Sequence, residues 1–179
     1  MKGFIFSEFV DYTASAFPSA IGIELRGLRH DGDKAYPHAE LVELVARVAQ
    51  ATAVPEGELL RRFGAHLFGR FAAIYPVFFV ELDSAFGFLS EINGHVHDEV
   101  QKLHPDAQFP RFECTARGPG RLEMRYHSSR PFADLAEGLI RGCIAYFGEA
   151  IELTRDDLAP GDGTAARFVL TKQGAGSDA

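Results

Sequence analysis

The apolar residues of this chain keep one rhythm up to about residue 105 and another after about residue 110, and that change limits the fold more than any single motif does. In the first part they recur every three or four positions, the spacing of helices that turn one face to a core. Phe4, Ile5, Phe9, Val10, Thr13 and Phe17 mark a helix that Pro18 ends. Beyond a Gly-, Arg- and Asp-rich connection from Arg26 to Pro37, Leu41, Leu44, Val45 and Val48 mark a second. Pro55-Glu56-Gly57-Glu58 opens a third through Leu59, Leu60 and Phe63, with an interruption expected at Gly64. A further helical stretch carries Leu67, Phe68, Phe71 and Ile74 up to Pro76. The last, from Asp83 to His104, has Phe86, Leu89, Ile92, Val96, Val100 and Leu103, and Pro105 stops it.

The second rhythm is shorter. Arg111 to Arg117 and Arg121 to Ser128 read as two strands joined at Gly118-Pro119-Gly120. Pro131 suits the first position of a helix whose apolar face is Phe132, Leu135, Leu139, Ile140, Cys143, Ile144 and Phe147. Ala150 to Leu158 and Thr164 to Thr171 read as two more strands around Pro160-Gly161-Asp162-Gly163. The expected fold class is α+β: one domain over 1–172, with an N-terminal helical subdomain over about 1–105, then a ββαββ unit with a four-stranded antiparallel sheet over about 110–172. Residues 173–179 are expected to be a disordered tail.

A chain of 179 residues suits a single domain with one substantial core. A formal net charge of −7 argues against nucleic acid and against an anionic membrane surface. The sequence has no run of about 18 apolar residues and no apolar leader after Met1-Lys2-Gly3, and its two cysteines suit a reducing compartment, so a cytoplasmic protein is expected. Sixteen Phe beside no Trp is more aromatic bulk than a core of this size needs, which suits either generous packing or a core that encloses something flat and apolar.

Three histidines bear on chemistry. On a regular helix, at about 100° per residue with Phe86 at zero, the apolar stripe of 83–104 spans roughly 240° to 360°. His97 falls at about 20°, on the edge of the stripe, His104 near 0° and His95 near 180°, facing away. His97 therefore reads either as a boundary histidine with a local partner or as an axial ligand presented to a pocket. His95-Val96-His97-Asp98 is no zinc site, because helical zinc pairs stand four apart, and the chain has Glu99 and Val100 where a zinc hydrolase needs Asp and His.

In an extended segment Tyr126, Ser128 and Arg130 share one face, offering two hydroxyls and a guanidinium that can hold an anionic group. A plain solvated strand face is the competing reading. Ser128, His127 and Asp134 lack the glycines of a nucleophile elbow. Cys114 and Cys143 read as core thiols.

Together these features resemble the haem nitric-oxide/oxygen-binding (H-NOX) domain family, bacterial stand-alone type, from Met1-Lys2-Gly3 to about residue 172. The most specific element is Tyr-x-Ser-x-Arg, present as Tyr126, Ser128 and Arg130 after a histidine-bearing helix. The segments 63–71, Leu103-His104-Pro105 with Phe109-Pro110-Arg111, and Arg130-Pro131-Phe132-Ala133-Asp134-Leu135 are similar to bacterial members as well. The resemblance implies haem b (iron protoporphyrin IX) between the two halves of the domain. His97, eight residues before Pro105, is its proximal iron ligand, and Tyr126, Ser128 and Arg130 hold its propionates. Pro110 presses on and distorts the porphyrin. The positions that match the distal pocket are Ile5, Phe9, Leu67, Phe68, Phe71 and Leu135.

In the family, stable dioxygen binding goes with a tyrosine nine residues past the signature tyrosine, and here that position is Leu135. The resemblance thus implies a nitric oxide sensor in which the ligand weakens the Fe–His97 bond. Its signal passes to a partner protein, a histidine kinase or a cyclic-di-GMP enzyme. The alternatives are a haem protein with oxygen-dependent enzymatic activity and a haem-free module that takes another small ligand. Tyr12 or His66 would change the choice of gas if either reached the pocket.

Overall fold

The structure, a computed structural model, describes residues 2–18, 31–32, 34–80, 82–103 and 108–174, the side chains of His95 and Leu103 excepted. The expected helix end at His104 and Pro105, part of the Arg26 to Pro37 connection and residues 175–179 lie outside the described residues. The helices are α1 Gly3–Ala16, α2 His38–Thr52, α3 Glu56–Ile74, α4 Ala85–Ser90, α5 His97–Leu103 and α6 Ala133–Phe147. A 3₁₀ turn, Pro76–Phe79, follows α3, and a π turn, Ile92–Val96, joins α4 to α5. The strands β1 Arg111–Ala116, β2 Arg121–His127, β3 Ile151–Asp157 and β4 Ala165–Lys172 form one antiparallel sheet in the order β1-β2-β4-β3. This is the expected arrangement of helices followed by ββαββ. Order reaches past the expected end of the domain, since the Gln173 N–H donates to the Ala150 carbonyl at 2.7 Å.

Local chemistry explains most of these elements. Proline precedes α2 and α3, and both carry acidic residues in the first turn, where they favour the helix dipole. The left-handed Gly148, at φ 65°, closes α6. Along β2 the buried Leu122, Met124 and Tyr126 alternate with exposed or half-buried neighbours. They share one face with Phe168 and Leu170 of β4 and pack with Ala136, Ile140 and Cys143 of α6. A second core joins Phe6 and Phe9 of α1, Leu41, Val45 and Val48 of α2, and Leu59 and Phe63 of α3.

The structure corrects three local expectations. Gly64 does not interrupt α3, which runs unbroken for 19 residues. Its missing side chain serves a crossing instead. A Cβ at Gly64 would stand 2.5 Å from the Leu135 carbonyl oxygen, one at Gly142 would stand 2.7 Å from Phe68 Cβ, and one at Gly138 would press on the Arg61 carbonyl. The helix expected from Asp83 to His104 is two short helices around a π turn, with the Val96 N–H reaching back five residues to the Glu91 carbonyl at 3.3 Å. Pro131 is not the first residue of α6. Phe132 is the N-cap, and Pro131 sits in a tight bend beneath the β3–β4 turn, where the Ala133 N–H donates to the Gly163 carbonyl at 3.0 Å.

Ion pairs reinforce the α3–α6 crossing. Asp134 at the start of α6 accepts from Arg61 of α3 at 2.5 Å and from Arg155 of β3 at 2.8 Å, and Arg155 also reaches Glu137 at 3.3 Å. The first core therefore continues from the sheet through α6 into the second half of α3.

Candidate functional site

Between α1, α3 and α6 and the segment from α4 to the start of β1 lies a cavity of about 330 Å³ whose surface is almost wholly apolar. α3 supplies Leu67, Phe68 and Phe71, α6 supplies Leu135, Leu139 and Ile140, and α1 supplies Phe4 and Ile5. The π turn and α5 contribute Ile92, Val96, His97 and Val100, and the loop into β1 contributes Gln108, Phe109 and Pro110. Tyr126, Ser128 and Arg130 line it as well.

His97 is drawn inward by the π turn. A π turn takes up about one residue more than an α turn, so the residues after it lag by about 100°. His97 then takes the place that residue 96 has on a regular helix, about 280°, inside the apolar stripe rather than on its edge. Its ring stacks on Phe109, with centroids 4.4 Å apart and planes 15° from parallel. Burial pushes the imidazole down to about 4, against a smaller pull upward from Asp98, so at neutral pH the ring is uncharged. A neutral imidazole keeps a nitrogen lone pair for a metal.

Tyr126, Ser128 and Arg130 meet at the cavity by a different route from the extended row expected. The strand ends at His127. Ser128 then accepts the Arg130 N–H on its own Oγ at 3.1 Å, a hydroxyl turn that bends the chain, and the Phe132 N–H donates to the Arg130 carbonyl at 2.9 Å. The Tyr126 hydroxyl, buried and pushed up by that burial, donates to the same carbonyl at 3.5 Å. The Arg130 guanidinium donates to Gln108, at 2.6 Å to Oε1 and 3.4 Å to the carbonyl oxygen.

Phe9 stands outside the cavity. It is fully buried one helical turn beyond Ile5, edge-on to Phe63 at 5.1 Å, in the α1–α2–α3 core. The shared phase of Ile5 and Phe9 is real, but what α1 packs against changes along its length. Neither Tyr12 nor His66 lines the cavity. Their rings lie 5.1 Å apart, and His66 Nε2 is 3.7 Å from Glu8, which Arg70 also grips at 3.0 Å. Tyr75, Phe109 and Gln108 are among the lining residues that the sequence reading did not place at the site. Tyr75 follows Phe71 by one turn and packs on it at 5.2 Å, a spacing that could have been read. Phe109, beside Pro110, and Gln108 carry no periodic signal.

This set fits an iron porphyrin: an apolar cavity, one uncharged imidazole within it, and a guanidinium and hydroxyls for an acidic edge. Among curated proteins none matches the chain. The family model for haem-NO-binding domains matches residues 2–155. The fold is similar to the unliganded Fe(II) H-NOX protein of K. algicida, with 27% identity, 97% of each chain covered and a TM-score of 0.86. It is similar to the H-NOX of Shewanella woodyi in the Fe(II)CO state, with 31% identity, 99% of this chain and 97% of that one covered and a TM-score of 0.78. It also shares its fold with the S. oneidensis H-NOX in the Fe(II)NO state, with 22% identity, 97% and 99% covered and a TM-score of 0.85. With the cavity, the imidazole and the whole-length match in agreement, the chain belongs to the haem-NO-binding (H-NOX) family of haem-based gas-sensing domains.

Proposed function

We propose that the protein is a nitric oxide sensor that binds haem b in this cavity and passes its signal to a partner protein without catalysing a reaction itself. The observation that carries this reading is the pairing of one uncharged imidazole, His97, with a wall from α1, α3 and α6 built of Ile5, Leu67, Phe68, Phe71 and Leu135, none of which has a polar hydrogen. His97 would bind the iron, Tyr126, Ser128 and Arg130 would hold the propionates, and Pro110 would bear on the ring. Bound there, ferrous haem would supply the affinity for nitric oxide and a bond to the His97 imidazole that responds to the gas. The chain's own part is to face the gas with side chains of α1, α3 and α6 that carry no hydrogen-bond donor and to carry His97 on a segment that can move. O–O cleavage calls for a polar acid or base beside the ligand, which that wall does not offer. The partner is a histidine kinase or a cyclic-di-GMP enzyme, and the setting is the cytoplasm. Among the described residues no helix is long and apolar enough to cross a membrane.

Tyr75 favours a second reading. It lines the same cavity and carries a hydroxyl, so a dioxygen binder that uses this phenol is the rival. Visible spectra of the ferrous protein under nitrogen, air and nitric oxide separate the two. A Soret band that is unchanged in air and shifts with nitric oxide is expected, together with loss of axial ligation in His97→Gly. A stable oxy spectrum that disappears in Tyr75→Phe would transfer the function to oxygen. No Soret band at all would leave a haem-free module.

A further inference from the structure

β1 is an edge strand, and on its open side Phe112 turns both of its backbone groups away from β2. Both are met by one side chain. Asn93 accepts the Phe112 N–H on Oδ1 at 3.1 Å and donates from Nδ2 to the Phe112 carbonyl oxygen, so its amide stands in for the peptide of a neighbouring strand. Asn93 does not line the cavity. It lies inside the π turn, four residues before His97, and Phe112 lies two residues after Pro110.

We infer that Asn93 is the positioning residue for His97: its amide pins the π turn to the edge of β1 and so sets the angle at which the imidazole enters the cavity. The inference rests on the reading of His97 as the axial ligand. π turns are rare and less favourable than α turns, so one that persists needs an anchor from outside the helix. Upstream, α4 is held at its start by Ser84, whose Oγ accepts the Gly87 N–H, and by Glu149, which accepts the Ala85 N–H at 2.6 Å. Near its end the Cys114 thiol donates to the Leu89 carbonyl at 3.3 Å. Asn93 is the next fixed point, and His97 follows one turn later. With that point released, the turn can anneal to an α-helix, which rotates the residues after it by about 100° and returns His97 to the edge of the stripe. Asparagine suits the task because it presents one donor and one acceptor on a short stem. Aspartate lacks the donor, and alanine lacks both.

The test uses the haem-loaded ferrous protein and its Fe–His stretching band in resonance Raman. Asn93→Ala should still bind haem, with the band shifted to lower frequency and broadened, and with a larger five-coordinate share of the nitrosyl form. Exchange of the Phe112 amide hydrogen should quicken by about tenfold or more. Asn93→Asp, which keeps the acceptor, should lie between wild type and Asn93→Ala, and it decides the matter by the same band if the alanine variant does not fold. A band that coincides with wild type while the Phe112 amide exchanges faster would make Asn93 a cover for the sheet edge and overturn the inference. The His97→Gly control separates the two failures: if its loss leaves the wild-type band in place, the ligand assignment is wrong and the inference goes with it.

Discussion

The two sides of the cavity are built on different terms. α3 and α6 cross with backbone against backbone at Gly64, Gly138 and Gly142, and Asp134 with Arg61 and Arg155 ties the crossing to the sheet. The side that carries His97 is a six-residue helix, a π turn and a seven-residue helix, held by caps and single side-chain bonds. Close-packed backbones have no second arrangement within reach of thermal energy, whereas short helices held by a few hydrogen bonds have several. A ligand between them would meet one wall packed backbone to backbone and one held by side-chain hydrogen bonds, and on the proposed function a change at the centre would leave through His97 and its segment.

The sharpest way to break that contrast is to add a side chain to each wall. Gly138→Val puts methyl groups into the Arg61 backbone and should cost about 3 kcal/mol or more, at the upper end of overpacking effects. Gly94→Ala, in the π turn, meets only Glu91 Oε2 at 4.0 Å and should leave stability unchanged or raise it by up to about 1 kcal/mol. Denaturant midpoints of the two haem-loaded variants measure the difference. Equal losses would mean that the two walls are equally rigid.

Next in size is the chemistry of the firm wall. Leu135, buried beside the cavity, becomes a hydroxyl donor in Leu135→Tyr. A donor that reaches bound dioxygen is worth about 1.5–3 kcal/mol, so the oxy complex should persist roughly 10- to 100-fold longer than in wild type. Stopped-flow dissociation of dioxygen checks it, and an unchanged rate would show that position 135 does not face the ligand. Gln108→Ala should have a smaller effect. Without Gln108 the Arg130 guanidinium loses a partner that competes with a haem carboxylate, and haem affinity should rise by about threefold to tenfold. Titration of haem into the cofactor-free protein reads it, and a fall would make Gln108 a part of the binding site.

Of the firm wall, the sequence announces α6 but splits α3 at Gly64. Regular periods gave α2, α6, the hairpin and the ββαββ order, because amphipathic spacing is a local consequence of a core that lies on one side. What the pattern does not carry is tertiary. Gly64 reads as a breaker until α6 is seen to need the space. Phe9 shares the phase of Ile5, yet a different neighbour covers it. The π turn leaves no mark, since Phe86, Leu89, Ile92, Val96 and Val100 stay apolar whether or not a residue is added to the turn. On a regular count His97 falls on the edge of the stripe, and with the added residue it falls inside it. The partnership of Arg130 with Gln108 and the two hydrogen bonds between the Asn93 amide and the Phe112 backbone join residues with no periodic relation.

The smallest expected effect is a loosening of the movable wall by acid. The start of α4 rests on Glu149, whose carboxylate accepts the Ala85 N–H and the Lys172 ammonium, at 2.6 and 2.7 Å. Burial acts to raise its titration point, but these two hydrogen bonds and the charge of Lys172 outweigh burial, and the carboxyl is held below its ordinary range. A carboxyl that is more acidic in the folded state than in the unfolded one stabilises the fold above the unfolded value, and that contribution disappears as pH falls through the folded one. Below about pH 4.5 the amide hydrogens of α4 should therefore exchange faster relative to those of α3 than they do at pH 7. Glu149→Gln should remove this acid-dependent change, because its amide oxygen still accepts the Ala85 N–H while the titrating charge is gone. If α3 and α4 loosen in step in both proteins, the two walls unfold as one unit, and the distinction between a fixed side and a yielding one fails where it is most exposed to measurement.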